Sequence, residues 1–417
     1  RDRLRSRGLG DVYKRQARSW LLYIGRNEIK ENIDRMGRIL YFQWHSFMNA
    51  GMERALQKLE IDYDTFFYTF TDWEKDEEFC YQFEEKLASE TYEKVLSVNY
   101  SPLISRVCED HQVPYISWVY DCPIHIKNLD TLCNSCNTIY FFDRIQAETY
   151  QKQGINARHM PLAVDTDVFR SVYMTPASVA DQRKYHTEIA LVGKLYQTEY
   201  QYYLQPLTDY QRGYLEGIIA AQLKVYGGYL IPELVTEELL LDLNRSYAKA
   251  SGDKVQVTRR ELEYMLACET TGRERFVILG LLSQHFKTAL WSNEKDERLT
   301  HVTHNGYADY YKQMPYIFHN AKINLNIALR AIQTGIPLRV LDIMGCGGFV
   351  LTSYREEIAE HFVNGEECVI YENLEDMYAK AKFYLEHEEE RQRIAISGFE
   401  KVRRDFTFDN ALRRILG

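Results

Sequence analysis

The stretch 322–352 constrains the fold of this chain most, because it places strand, helix and strand in immediate succession. A short apolar strand is predicted at 322–327, a helix carrying Asp342 follows, and after a turn of glycines a second apolar strand is predicted at 349–352. This order of elements is typical of one half of a nucleotide-binding α/β fold. The pattern therefore favours a parallel sheet with helices packed on its faces.

The same alternation runs through the N-terminal part of the chain from Met36 onward. The predicted strands are 38–44, 63–68, 94–100, 114–120, 138–142 and 157–162. Predicted helices lie between them, as at 77–89, 102–111 and 144–153. Strands alternating with helices of this length imply right-handed crossovers and a parallel sheet, so we expect an α/β domain at 36–169.

A second domain is expected at 170–417. A strand ending at Gly193 opens it, and a helical insertion is predicted at about 199–273 because the alternation stops there. Strands are predicted to return at 276–282, 288–292, 322–327, 349–352 and 367–371. A chain of 417 residues is long enough for two such domains.

Composition narrows the class of protein. A hydrophobic content of 45% with 27% charged residues is that of a globular chain, and no apolar run approaches the ~18 residues that a membrane span needs. We therefore expect a cytoplasmic protein with at most peripheral membrane association. Eight unevenly spaced cysteines indicate free thiols rather than a disulfide framework, and Cys133 and Cys136, on a predicted helix, lack the second pair of a zinc site.

Residues 1–35 are treated apart from the rest. They are rich in Lys and Arg, and the first sixteen resemble a translated sequencing-adaptor artefact, so we expect a non-native or disordered leader and a natural start at Met36. The formal net charge of −9 becomes more negative without this segment. Such a charge argues against nucleic acid or an anionic membrane as the main partner.

The run Gly335-Ile-Pro-Leu-Arg-Val-Leu-Asp342-Ile-Met-Gly345-Cys-Gly347-Gly348 resembles the donor-nucleotide region of GT-B glycosyltransferases. More narrowly, it resembles the bacterial group with a spore-maturation (CgeB-like) domain. The resemblance implies two Rossmann-like domains facing across a cleft. It also implies transfer of a sugar from a nucleotide diphosphate sugar, UDP-sugar above all, to a hydroxyl of a glycan, lipid or protein acceptor, with no other cofactor and no metal.

The resemblance also implies roles for the donor site. Asp342 would accept hydrogen bonds from the ribose hydroxyls, and Gly345, Gly347 and Gly348 would let the backbone approach the pyrophosphate. Arg339 or Lys194 would offset its charge, with Gly193 at the strand end beside them. From the residues alone, the alternative is that Asp342 is a solvated helix carboxylate and that the glycines form a tight turn with positive φ. Related retaining enzymes carry two glutamates eight residues apart, and here Thr334 occupies the first position.

Aromatic residues follow in the segment 305–315, which resembles the part of the family that leads into the base pocket. Tyr307 or Tyr311 would stack on the base, since an aromatic face suits a uracil-like ring. Tyrosines are abundant in this chain, 32 in all, so packing is the alternative. His301 and His304 have no further ligand in sequence and predict no metal site.

In the first domain, Asp121 follows the strand 114–120, where open α/β sheets place ligands. The family has an aromatic-x-x-Asp-x-Pro element here, matched by Trp118, Asp121 and Pro123. Asp121 or His125 would act as general base on the acceptor hydroxyl. The alternative is that Asp121 caps the next helix. Two other functions stay open: a sugar-nucleotide epimerase of the same architecture, and a catalytically degenerate binding module.

Overall fold

The computed structural model describes residues 36–175, 178–252 and 254–417. The predicted leader at 1–35 lies outside the described residues. None of the helices in these ranges is both long and apolar enough to cross a bilayer.

The first sheet consists of six parallel strands in the order β2-β1-β3-β4-β5-β6. The strands are β1 (Ile39–Gln43), β2 (Tyr63–Phe67), β3 (Lys94–Val98), β4 (Tyr115–Val119), β5 (Asn137–Phe141) and β6 (Ala157–His159). These match the strands predicted at 38–162. The prediction works because the four inner strands β1, β3, β4 and β5 are largely apolar runs buried on both faces, which period and length identify. The edge strands β2 and β6 are only partly buried.

Helices α1 (Asn49–Lys58), α2 (Glu77–Ser89), α3 (Pro102–Asp110) and α4 (Arg144–Gln151) connect these strands. Asp76, Ser101 and Asp143 cap α2, α3 and α4, each accepting the backbone N–H three residues further on. The prediction that Cys133 and Cys136 lie on a helix is wrong, because the chain forms only a short 3-10 turn that ends at Cys133. All eight cysteines are free thiols.

Helices α5 (Thr166–Met174) and α6 (Val179–Tyr185) lead to a second parallel six-stranded sheet, in the order β12-β11-β10-β7-β8-β9. Its strands are β7 (Thr187–Val192), β8 (Thr288–Trp291), β9 (Thr303–His304), β10 (Ala321–Asn326), β11 (Val350–Ser353) and β12 (Val369–Tyr371). The strand–helix–strand unit predicted at 322–352 is confirmed as β10, a helix at Leu338–Gly345 and β11.

The segment between β7 and β8 is helical, as predicted. It holds α7 (Tyr200–Leu204), α8 (Asp209–Leu223), α9 (Ile231–Leu234), α10 (Glu237–Ser251) and α11 (Arg259–Ser283). The strand predicted at 276–282 is wrong, because α11 continues through it. Ile278, Leu279 and Leu282 are buried at helical spacing, and this packing overrides the strand propensity of the run.

The remaining helices are α12 (Met314–Asn320), α13 (Leu338–Gly345), α14 (Glu356–His361), α15 (Leu374–Glu386), α16 (Glu388–Asp405) and α17 (Phe408–Leu416). The last of them returns to the first sheet and packs on α1. A Cβ on Gly51 would come within 2.5 Å of the Phe408 ring, and Lys58 pairs with Asp409 at 3.2 Å. The domain division at residue 169 stays a prediction, and α17 is a contact between the two predicted units.

The two sheets also share apolar packing. Phe142 and Phe169 of the first unit lie in one buried cluster with Ile336 and Val340 of the second. The molecule therefore has two parallel six-stranded sheets joined through a common core, with a helical insertion between two strands of the second sheet. Ligands of open α/β sheets bind at the carboxyl ends of the strands, so the space between these ends is the place to look for a site.

Candidate functional site

A cleft of about 380 Å³ lies between the carboxyl ends of the two sheets. The loop after β4 forms one wall with Tyr120, Asp121 and His125. The other wall comes from the ends of β7 and β10, the segment 327–339 and helix α11. Of the predicted site residues, the cleft brings together Asp121, His125, Gly193, Lys194 and Arg339.

Three basic side chains line the second-domain wall: Lys194, Arg275 and Arg339. Their convergence is notable in a chain whose net charge is −9, because carboxylates outnumber basic groups elsewhere. A narrow cleft with low-dielectric walls strengthens the field of such charges. The second-domain wall is therefore suited to an anion such as a diphosphate.

Arg275, on α11, is the most buried of the three, at 8% exposure. Its Nε donates to the Ile327 carbonyl at 3.2 Å, and its guanidinium carbon lies 4.8 Å from the centre of the Tyr196 ring. Within the described ranges it forms no ion pair with an Asp or Glu side chain, and burial lowers the pKa of its guanidinium. A buried cation without a carboxylate is stabilised by binding an anion.

Sequence reasoning missed Arg275. The residue lies between the predicted end of the insertion at 273 and the strand predicted at 276–282, where no site was expected. Gly193, which was predicted, explains part of the geometry: its φ is +150°, and a Cβ there would come within 3.3 Å of the Arg275 guanidinium. Glycine at the end of β7 therefore makes room for the arginine rather than only for a ligand.

Asp121 lies opposite these cations. Its Oδ2 accepts a hydrogen bond from Asn99 Nδ2 at 2.8 Å, and the same Asn99 side chain accepts the N–H of Tyr120 at 2.9 Å. Burial raises the pKa of Asp121, while His125 acts in the opposite direction. A raised pKa brings a carboxylate nearer to the range where a general base works best at neutral pH. The alternative of a helix cap is wrong, because the next turn begins only at Asp130 and Asp121 bonds to none of its N–H groups.

His125 is exposed at the mouth of the cleft, and its ring meets the edge of Tyr264 on α11 with centroids 4.9 Å apart. Arg260 of the same helix donates to the carbonyls of Ile124 and Ile126 at 2.6 and 3.1 Å. The insertion thus touches the first-domain loop that carries Asp121, and it covers one end of the cleft.

Asp342 is 1% exposed and does not line the cleft. It accepts from the Tyr310 hydroxyl at 2.7 Å and from Arg339 at 3.2 Å. Burial raises its pKa to about 6, although Arg339 and Tyr310 both act to lower it. Contact with a donor ribose stays a prediction. What the structure shows at Asp342 is an ion pair with Arg339, a residue that lines the cleft.

The predicted glycine turn lies at the opposite end of α13 from the cleft. Gly347 has φ +70°, and a Cβ on Gly348 would meet the Phe318 carbonyl at 2.6 Å, while one on Gly345 would meet Val164 at 3.1 Å. The backbone therefore approaches protein atoms closely at these positions. This corrects the prediction that Gly345, Gly347 and Gly348 approach the pyrophosphate: the N-terminus of α13, not its C-terminus, faces the cleft.

Neither tyrosine predicted to stack on a base lines the cleft. Tyr307 is 66% exposed on the surface, and the Tyr311 hydroxyl donates to the Phe47 carbonyl at 2.7 Å. Base stacking by either stays a prediction. Across the part of the chain that the structure describes, no cluster of three His, Cys, Asp or Glu side chains could hold a metal ion.

Fold and cleft together define an α/β protein in which a wall of basic side chains faces a carboxylate between two parallel sheets. Residues 243–417 match a family model described as glycosyl transferase-like. The carboxy-terminal part of the chain is therefore similar to glycosyl transferase-like domains, and glycosyl transfer is the activity that this similarity indicates. No curated protein matches the sequence.

Several solved structures are similar to the chain as a whole. HepE from Anabaena, in complex with UDP and glucose, is 9% identical with a TM-score of 0.47, over 91% of this chain and 98% of that one. A glycosyltransferase from Rickettsia africae is 10% identical with a TM-score of 0.48, over 92% and 97%. A sucrose-phosphate synthase from Thermosynechococcus elongatus is 13% identical with a TM-score of 0.47, over 91% and 96%.

Proposed function

We propose that the chain transfers a sugar from a nucleotide diphosphate sugar, a UDP-sugar first of all, to an acceptor hydroxyl. The observation that carries the proposal is the cleft itself, where Lys194, Arg275 and Arg339 face Asp121 between the two sheets. A diphosphate leaving group needs cations, and an acceptor hydroxyl needs a base. The cleft supplies both on opposite walls.

On the donor side, the three basic groups would neutralise the pyrophosphate and the negative charge that develops on it as the glycosidic bond breaks. Arg275 is fixed in advance by the Ile327 carbonyl, so its charge needs no reorganisation during the reaction. Asp342 and Tyr310 would hold Arg339 at the N-terminus of α13. This arrangement assigns to side chains the role that a divalent cation has in other enzymes, so the proposed reaction is independent of metal.

On the acceptor side, Asp121 would remove the proton from the acceptor hydroxyl as its oxygen bonds to the anomeric carbon. The bonding electrons of the broken C–O bond would leave with the nucleoside diphosphate. Asn99 holds one carboxylate oxygen in place and leaves the other free for the acceptor. His125, at the mouth of the cleft, is the second candidate for the base. The acceptor is a hydroxyl of a glycan, a lipid or a protein.

The proposal extends to the family group and the location. The run around Asp342 favours the bacterial CgeB-like group, and the chain would work in the cytoplasm. Its partners would be the donor and the acceptor, without nucleic acid.

The test is incubation of the purified chain with a panel of nucleotide sugars, with and without simple glycoside acceptors. A transferase releases free nucleoside diphosphate slowly without an acceptor and faster with one. Reversible conversion of one sugar nucleotide into another, without release, would indicate an epimerase instead. Binding without any turnover would indicate a binding module.

A further inference from the structure

Two neighbouring loops of the first domain hold one segment of the second-domain wall. The Cys122 thiol, next to Asp121, donates to the Ala331 carbonyl at 3.3 Å. The following strand, β5, ends just before Asp143, whose carboxylate accepts hydrogen bonds from the turn 333–335. This segment contributes Ile332, and its continuation contributes Arg339, to the cleft.

The two carboxylate oxygens of Asp143 accept hydrogen bonds from different parts of the chain. Oδ1 accepts the N–H of Gln146 at 3.0 Å and so caps α4. Oδ2 accepts three consecutive backbone N–H groups, those of Gln333, Thr334 and Gly335, at 2.8, 2.9 and 3.0 Å. Consecutive N–H groups that converge on one point form an anion-binding nest, and here a side chain of the other domain fills it. A helix cap alone would need only the first oxygen.

The turn is shaped for this contact. Asp143 is fully buried, and a Cβ on Gly335 would come within 2.9 Å of the Phe142 carbonyl and 3.0 Å of the Asp143 Cα. On its other side the turn is fixed by Glu357, whose N–H donates to the Thr334 carbonyl at 3.0 Å. The Glu357 carboxylate accepts the N–H of Arg144, next to Asp143, at 3.1 Å. The contacts close a ring across the two domains.

We propose that Asp143 is a positioning residue for the reaction. Through the turn 333–335 it sets the distance between the donor wall and the loop that carries Asp121. The inference rests on the proposed function, because the cleft is the donor site in both. A carboxylate that touches neither substrate would thus fix the position of the donor wall relative to the loop that carries Asp121.

The test uses two variants that break the contact from opposite sides. Asp143→Asn keeps a side chain that caps a helix about as well as Asp. However, its amide cannot serve both the cap and three N–H donors. Gly335→Ala keeps the Asp143 carboxylate and pushes the turn away from the Phe142 carbonyl and the Asp143 backbone. The matched control is Asp76→Asn: Asp76 also caps a helix with both oxygens engaged, by Phe79 and Thr71 at 3.0 Å each, but all its partners lie in the first domain.

In both test variants we expect the Kd of UDP to rise about tenfold, the loss typical of hydrogen bonds to a charged group, and kcat to fall as well. The double variant should lose no more than the worse single variant, because both remove the same contact. The control should keep the wild-type Kd and kcat. Asp143→Asn with wild-type Kd and kcat would overturn the inference and leave only a helix cap.

Failure of the proposed function is distinguishable, since wild-type protein would then bind no UDP. In that case the unfolding free energies of the two single variants and the double variant, measured in urea, still show whether Asp143 and Gly335 act through one shared contact. A double variant that loses less unfolding free energy than the sum of Asp143→Asn and Gly335→Ala supports the shared contact. A loss equal to that sum overturns it.

Discussion

Asp342 shows how burial competes with an ion pair at a single residue. Arg339 at 3.2 Å and the Tyr310 hydroxyl both favour the charged carboxylate, yet the pKa rises to about 6 because the group has left water. The folded state then keeps a proton between roughly pH 4 and pH 6 that the unfolded state has already lost. Stability due to this group is therefore present below about pH 4 and is lost as the pH rises through 6.

Asp342→Asn should remove the part of the stability loss between pH 4 and pH 6 that comes from ionisation of this carboxyl group. Relative to wild type, the variant should gain unfolding free energy on going from pH 4 to pH 7, by on the order of 3 kcal/mol. Urea unfolding of both proteins across this range measures the difference, in which all other titrating groups cancel. A difference that stays constant or shrinks as the pH rises would mean that the Arg339 ion pair outweighs burial.

Asp121 gives the second prediction at this scale. Asp121→Asn keeps the shape of the side chain and its contact with Asn99 but removes the basic oxygen. We expect unchanged affinity for the donor nucleotide and a kcat lower by ~10²–10⁴, the usual contribution of general base catalysis. Steady-state kinetics with titration of UDP checks this. Near wild-type turnover would move the role to His125.

The place of some residues in the site could be predicted from the sequence, whereas that of others could not. Asp121 was predictable because the end of a parallel strand faces the ligand side in every such sheet. Arg275 was not, since its place depends on how α11 packs against β7 and β10. The role of the glycines at 345–348 was misread because a glycine turn looks the same whether a ligand or another side chain approaches it.

At the scale of elements, α11 connects the insertion to the second sheet. Beside Arg275 on this helix, Glu274 pairs with Arg330 at 2.7 Å, with side chains only 4% and 2% exposed. Arg330 also donates to the Val225 carbonyl at 3.0 Å, so the pair fastens the helix to the cleft-lining segment and to the end of α8.

Glu274→Gln should lower the unfolding free energy by about 3–5 kcal/mol, because it leaves the Arg330 charge buried without a partner. Urea unfolding measures this. The control is Glu390→Gln: that side chain pairs with Arg393 at the surface, with exposures of 44% and 51%, and its loss should change the unfolding free energy far less, because water screens an exposed pair. Equal losses in the two variants would contradict the structural role given to the pair.

Elements themselves were largely predictable, with an instructive exception. Buried parallel strands and capped amphipathic helices carry local signals, and most were found. The stretch 276–282 was assigned to a strand because its apolar run has no period that separates a buried strand from a buried helix. Only the packing of α11 against the second sheet determines that this stretch is a helix.

At the scale of the whole molecule, contacts between the sheets set the shape of the cleft. Helix α17 packs on α1, and the Asp143 carboxylate accepts hydrogen bonds from the turn 333–335. Both contacts join residues that are far apart in sequence. Such contacts leave no local pattern. The sequence therefore predicts two α/β domains and a cleft, whereas the cleft's lining follows from tertiary packing.

The central claim is that the cationic wall binds the diphosphate of a nucleotide. Calorimetric titration of UDP into wild type, Arg275→Met and Lys194→Met tests it most directly. The control is Arg273→Met on the same helix, because Arg273 is bound instead to Glu216 and Glu269 at 2.6 and 2.9 Å.

We expect wild type and Arg273→Met to bind UDP alike, and each of the other variants to bind roughly 10–100-fold more weakly while remaining folded. Lys194→Met guards against a fold effect, since among the described residues the Lys194 side chain donates to no backbone carbonyl, whereas Arg275 donates to that of Ile327. Wild-type affinity in both folded variants, or no binding of UDP by the wild-type protein, would contradict the account.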